Sequence, residues 1–146
     1  MSRRILHPSD FSRASGAAFK KAVEMAKSNR GELMLVHVVS LVVPMAGDGY
    51  VSPKMYEEIA ASNRAWAQKE LNKLVAKAKA SGVRANAAVL EGAAYDQIVR
   101  FARSKHADLV VMGTHGRSGI AKLFLGSVAG RVVAAASCPV LTVRGK

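Results

Sequence analysis

Two rhythms of apolar residues alternate along the chain. Short runs rich in Val, Ile and Leu are separated by stretches where apolar residues return every three or four positions. The first rhythm predicts strands and the second predicts helices. Arg4-Ile5-Leu6-His7 reads as a short strand stopping at Pro8, which has no N–H to give a ladder. Ser12 offers an N-cap hydroxyl. Ala14, Ala18, Ala22 and Met25, with Phe19, Val23 and Ala26 beside them, then predict a helix that closes at Asn29-Arg30-Gly31, with glycine after the last turn. Glu32 to Val39 is a near-continuous apolar run, as expected of a strand buried on both faces. Pro44, Gly47 and Gly49 mark residues 41–52 as a loop. Ser52-Pro53 opens the longest helix, with proline at its first position. Its predicted buried stripe is Ala67, Leu71, Leu74, Val75 and Ala78, with Ile59 and Trp66 further up and the lysines mostly off it. Ser81-Gly82 ends it.

Val83 to Leu90 predicts a third strand, and Tyr95, Ile98, Val99 and Ala102 a third helix. Asp108 to Met112 predicts a fourth strand, followed by a loop over 113–125. A fourth helix starts near Gly126 and stops before Cys138-Pro139, and Val140 to Val143 is a fifth strand. Strands alternating with helices predict one α/β domain over residues 1–146. Its core is an open five-stranded parallel sheet with helices on both faces, a Rossmann-like arrangement. Ligands of such sheets bind past the carboxyl ends of the strands, at the topological switch point. The residues after strands one, two and four are therefore the ones to inspect.

Composition narrows the class. The chain has 146 residues, 50% of them apolar, a profile of a folded domain and not of a disordered chain. Cys138 is the single cysteine, which excludes an internal disulfide framework. Pro44, Arg131 and Pro139 cut the apolar runs short of a membrane span. Only Ile5 and Leu6 follow Arg3-Arg4 before His7-Pro8, so the start lacks a signal-peptide core, and a cytoplasmic location is expected. Lys and Arg number 22 against 10 Asp and Glu, a formal charge of +12. All ten acids lie at or before Asp108, so the last 38 residues are purely cationic and favour anions such as phosphates. Nucleic acid is a weaker match, because 5% of residues are aromatic and Lys/Arg blocks of five are lacking.

Two segments at the expected switch point could carry chemistry. Pro8-Ser9-Asp10-Phe11-Ser12 follows strand one. Asp10 there either meets a ribose hydroxyl or a metal, or favours the positive end of the next helix. Gly113-Thr114-His115-Gly116-Arg117-Ser118-Gly119 follows strand four, and nine residues separate Gly116 from Gly126-Ser127. Glycines there let the backbone approach a ligand and take positive φ. Gly126-Ser127 at a helix start offers free N–H groups, the helix dipole and a hydroxyl, all suited to a phosphate. Arg117 and Lys122 add positive charge. A tight turn between strand and helix is the alternative reading.

These residues resemble the universal stress protein family. The resemblance rests on Pro8-Ser9-Asp10-Phe11-Ser12, on His37-Val38-Val39, on the spacing Gly113-x2-Gly116-x9-Gly126-Ser127, and on Cys138-Pro139-Val140-Leu141. The glycine spacing is similar to that of the family's ATP-binding branch. The resemblance implies an adenine nucleotide alpha-hydrolase-like fold and bound ATP with Mg²⁺ or Mn²⁺. Asp10 would face the ribose, phosphates or metal. Val38 would hold adenine through its backbone, with Pro8, Ser9 and Met112 nearby. Gly113, His115 and Gly116, beside Arg117, would wrap ribose and phosphates. Gly126, Ser127 and Val128 would bind phosphates. It also implies a homodimer through antiparallel pairing of Val140 to Val143, which would cover a bare apolar edge. His7 departs from the family's common apolar residue, Ala129 supplies no hydroxyl, and Gly130 sits inside the fourth helix.

The remaining candidates favour plain roles. No two of His7, His37, His106 and His115 have metal-ligand spacing. His7 and His37 are expected as satisfied residues near strand ends, Cys138 as a buried structural thiol, and Trp66 as core or interface filler. Ser118, beside Arg117, is a polar loop residue or a phosphorylation site. The pattern GxxxxGK[ST] is lacking, and with it a P-loop lysine. The expected function is thus that of an ATP-binding regulatory protein in the stress response. A slow metal-dependent ATPase or phosphotransferase using Asp10, and a basic module binding a polyanion without nucleotide, are the alternatives.

Overall fold

The computed structural model describes residues 3–40, 52–115 and 125–145. Gly116, Arg117, Ser118, Lys122 and the loop 41–51 lie outside them. The elements run β1 (Arg4–Pro8), α1 (Arg13–Ser28), β2 (Glu32–Val39), α2 (Pro53–Ala80), β3 (Arg84–Glu91), α3 (Ala94–Ser104), β4 (Leu109–Gly113), α4 (Ser127–Ala135) and β5 (Val140–Val143). The five strands form one parallel sheet in the order β3-β2-β1-β4-β5. The chain steps one way from β1 to β3, then crosses to β4 on the other side. The switch point therefore lies between β1 and β4.

Right-handed crossovers put α1 and α2 on one face of this sheet and α3 and α4 on the other. Two cores result. Ile5, Leu33, Leu35 and Val111 pack under α1 and α2 with Phe19, Ala22 and Leu71. Leu6, Met34, Val36, Val110 and Met112 pack under α3 and α4 with Ile98 and Val132. Successive strand residues feed opposite cores, which is why β2 reads as a continuous apolar run. The Arg131 guanidinium lies 4.8 Å from the centre of the Tyr95 ring, pinning α4 to α3.

The helix caps follow the sequence closely. Ser12 and Ser52 cap α1 and α2, accepting from Ser15 N–H at 3.2 Å and Met55 N–H at 3.2 Å. Four details differ. Pro8 belongs to β1 and pairs with Val36, because the bond to Val36 at that register comes from Ser9 N–H and needs no N–H from Pro8. After α1 the left-handed residue is Arg30 (φ 50), not Gly31. Gly31 is required for another reason: a Cβ there would collide with the Arg3 backbone. Cys138 is half-buried, not fully enclosed, and burial, aided by the Asp108 charge, raises its thiol pKa. Ile59 and Trp66 are 55% and 44% exposed, so the buried stripe of α2 is confined to its second half.

Candidate functional site

The geometry of the switch point follows from where the ladders stop. β1 pairs with β4 only at Ile5↔Leu109 and Leu6↔Val110, and with β2 only as far as Pro8↔Val36. β2 continues to Val39 alongside β3, and β4 continues to Gly113 alongside β5. The sheet thus has a gap past the end of β1, walled by β2 and β4.

Strand alternation decides which backbone groups face that gap. Val36 accepts from Ser9 N–H at 2.8 Å and so faces β1, while Val39 accepts from Gly92 N–H at 3.0 Å and faces β3. Val38, two residues beyond Val36, directs its N–H and C=O toward the gap. On the other wall, Val111 C=O faces β1, because it accepts from the buried His7 ring at 2.8 Å. Thr114 N–H donates to Val143 at 3.0 Å and so faces β5. Gly113, between them in phase with Val111, also directs its backbone groups into the gap.

His7 holds the walls where the ladder ends. Its side chain is fully buried, and its Nδ1–H donates to Val111 C=O in place of a lost strand bond. That bond fixes the tautomer and leaves Nε2 as an acceptor, buried and without a partner among the described residues. Burial pushes the imidazole pKa down to about 4, against the opposing pull of the Val111 carbonyl and the Asp10 charge. The ring is neutral at physiological pH. The expected satisfied histidine is therefore satisfied at one nitrogen only.

The floor is the β1–α1 loop. Asp10 Oδ1 accepts from Ser12 N–H at 2.9 Å and from the Ser15 hydroxyl at 2.7 Å. This carboxylate shapes the first turn of α1, as one of its two expected readings required. Ser9 is buried, and its hydroxyl accepts from Phe11 N–H at 3.0 Å. Phe11 takes a left-handed conformation (φ 64) and stacks on His37 with ring centres 4.6 Å apart. Trp66 meets Phe11 edge-on at 5.2 Å. His37 Nδ1–H donates to Ser9 C=O at 2.7 Å. Sequence reasoning missed this stack, whose members lie far apart in the chain.

The fourth helix completes the crevice. Gly126 N–H donates to Thr114 C=O at 2.7 Å, bringing the start of α4 back to the end of β4. The first bond of the helix ladder runs from Gly130 N–H to Gly126 C=O at 2.8 Å. The N–H groups of Ser127, Val128 and Ala129 therefore precede the ladder. Thr114, also unrecognised in the sequence, is buried, and its Oγ1 lies 2.9 Å from His115 Nδ1. His115 Nε2 is buried with no partner among the described residues. The glycines differ from expectation in one respect. Gly126 has φ −59, and Gly113 is not among the residues at positive φ. A Cβ at Gly113 would make only ordinary contact, at 3.4 Å, with Ala14 C=O. The reason for these glycines is thus not backbone strain within the described chain.

Pro8, Ser9, Asp10, Val38, Met112, Gly113, His115, Gly126, Ser127 and Val128 all lie at the strand ends or at the start of α4. Met112 is buried and Val38 half-buried on the α3–α4 side. Among the described residues no group of three His, Cys, Asp or Glu could hold a metal alone. A hard cation bound through phosphates needs only one or two carboxylates, and Asp10 fits that demand. A cleft of about 230 Å³ lies between α1 and α2, and Ser9 and Phe11 of the β1–α1 loop line it together with Ser12, Ser15, Lys73 and Lys77. No helix among the described residues is long and apolar enough to cross a membrane.

Comparison with known proteins gives this architecture a family. The chain is 38% identical over 142 residues to universal stress protein MJ0531 of Methanocaldococcus jannaschii, spanning 97% of this chain and 82% of that one. The solved structure of MJ0577, a universal stress protein of the same organism, superposes with a TM-score of 0.86 at 23% identity, covering 100% of this chain and 98% of that one. That likeness establishes the fold. A universal stress protein solved in complex with cAMP superposes with a TM-score of 0.67 at 25% identity, covering 99% and 98% of the two chains. The model described as the universal stress protein family matches residues 1–144, and this chain belongs to that family.

Proposed function

We propose that this protein binds an adenine nucleotide, ATP with Mg²⁺ or Mn²⁺, in the crevice past β1, and acts as a nucleotide-dependent regulator in the stress response. One observation carries the reading. The outward backbone groups of Val38 and Gly113 converge with the start of α4 on a single gap in the sheet. In this reading adenine is held by the Val38 backbone against Met112, with Pro8 and Ser9 beneath it. Gly113 and His115 meet the ribose and phosphates, with Gly116 and Arg117 in the adjoining loop. The N–H groups of Ser127 and Val128, the Ser127 hydroxyl and the dipole of α4 take the phosphates. Asp10 holds the cation that accompanies them. The related protein bound to cAMP supports the ligand class.

A binding role asks less of the site than catalysis. Phosphoryl transfer needs a nucleophile in line, a metal clamp and charge neutralisation together. The residues named above hold and orient a nucleotide. The functional unit in this reading is a homodimer. Among the described residues β5 has only β4 as a strand neighbour, and Val140 to Val143 are all half-buried, so antiparallel pairing of two β5 strands would cover the edge. The cytoplasm suits its lone thiol, Cys138.

Gly126→Asp tests the site. The φ of −59 and ψ of 156 at Gly126 accept any residue, and Asp is a favoured N-cap, so the backbone admits the variant, and circular dichroism checks its fold. The new carboxylate occupies the phosphate position and repels it. Calorimetric titration with ATP and Mg²⁺ is expected to show binding to the parent and none to the variant. Parent-like affinity in a folded Gly126→Asp protein would overturn the placement.

A further inference from the structure

Helix α2 is longer than the surface it covers. Its 28 residues span about 42 Å at 1.5 Å per residue, against 8 residues in each of β2 and β3. Its buried residues, Ala67, Leu71 and Ala78, all lie in its second half. Trp66 packs on Phe11 and His37 at the strand ends, so the turns before it project past the sheet. Those turns carry Met55 and Ile59, 50% and 55% exposed, and Trp66 follows at 44%. At about 100° per residue these three side chains fall within an arc of roughly 40°. They form one apolar stripe, displaced from the face that packs on the sheet. Three of the five large apolar residues exposed among the described residues belong to it. A concentration of this kind marks an interaction surface.

We propose that the stripe is an interface between two copies of this chain, with α2 packed antiparallel against α2 about a twofold axis near Ser62 and Asn63. This register sets Ile59 against the second copy's Trp66, and the symmetry makes the contact twice. Charge selects the partner and the direction. Glu58 and Lys69 lie on the same flank of the stripe, about 20° apart around the helix. Neither makes an ion pair among the described residues. In antiparallel packing like flanks face each other, and this register brings Glu58 within two residues, about 3 Å along the axis, of the second copy's Lys69. Parallel packing would instead put the flank that carries Glu58 and Lys69 on opposite sides of the seam in the two copies, so this pair could not form. The proposal stands apart from the nucleotide reading, and the α2 stripe is distinct from the β5 edge.

The test is molar mass by light scattering across a dilution series for the full chain, Ile59→Glu, Glu58→Lys, Lys69→Glu and the double swap. These three positions are exposed, so the variants keep the fold, as circular dichroism verifies. The parent is expected to reach twice the mass of Ile59→Glu where α2 alone pairs, and at least twice where β5 also pairs. Each single reversal turns two attractive pairs into repulsive ones and weakens association about tenfold, and the double swap restores it. Equal masses for the parent and Ile59→Glu overturn the proposal, as they would if another part of the chain or a different partner covered the stripe. A double swap no better than the single reversals overturns the antiparallel register.

Discussion

His7 ties the stability of this protein to pH in a way that can be worked out from its surroundings. The ring is fully buried and gives one hydrogen bond, to Val111 C=O at 2.8 Å. Burial lowers its pKa from 6.5 to about 4. Between those values the unfolded chain binds a proton that the native chain refuses. Stability from this group is complete above pH 6.5, falls as pH drops, and levels off near pH 4, where the native ring also charges. At about 1.36 kcal/mol per pH unit the interval amounts to about 3 kcal/mol. Other groups titrate in acid, so the assay is a difference. His7→Leu loses the bond to Val111, at a cost of about 1–3 kcal/mol, but cannot be protonated. Urea unfolding of both proteins from pH 7.5 to 4 is expected to show the variant gaining on the parent by about 3 kcal/mol. Stability curves that stay parallel over this range would refute the assignment of a buried neutral ring.

Two further substitutions probe the backbone. Gly31→Ala drives a methyl group into the Arg3 backbone and is expected to lower stability by about 1–3 kcal/mol in denaturant unfolding, although φ at this position is ordinary. A loss below about 0.5 kcal/mol would mean that β1 does not hold Arg3 there. Gly130→Ala meets only Leu125 Cδ2, at 3.8 Å, and places a better helix former inside α4. It is expected to add about 0.5–1 kcal/mol, read as a higher melting temperature, and a decrease would show that the glycine serves close packing.

The features legible in the sequence were those set by neighbours along the chain. The strand–helix alternation, the serine caps at Ser12 and Ser52 and the start of α4 after Gly126 all depend on residues a few positions apart, and the structure has each of them. The strand-end location of the site followed from topology, because parallel sheets with two covered faces leave that end open. What stayed hidden depends on long-range contact. The partner of His7 lies 104 positions away, and Phe11, His37 and Trp66 meet only after the sheet and α2 have assembled. Gly31 resembles a helix terminator in sequence, yet the residue pressing on it is Arg3, which immediately precedes β1. Helical periodicity predicted burial for Ile59 and Trp66, but it cannot tell where the sheet beneath a helix ends.

The central claim is that the gap past β1 holds an adenine nucleotide. Its most direct test is the nucleotide content of the protein as purified, measured by acid extraction and chromatography, followed by thermal unfolding with added ATP and Mg²⁺. The account predicts either about one adenine nucleotide per chain or, for protein purified empty, stabilisation of about 2.7 kcal/mol at a ligand concentration a hundredfold above Kd. Protein that carries no nucleotide, and whose melting temperature does not move with millimolar ATP and Mg²⁺, would contradict it.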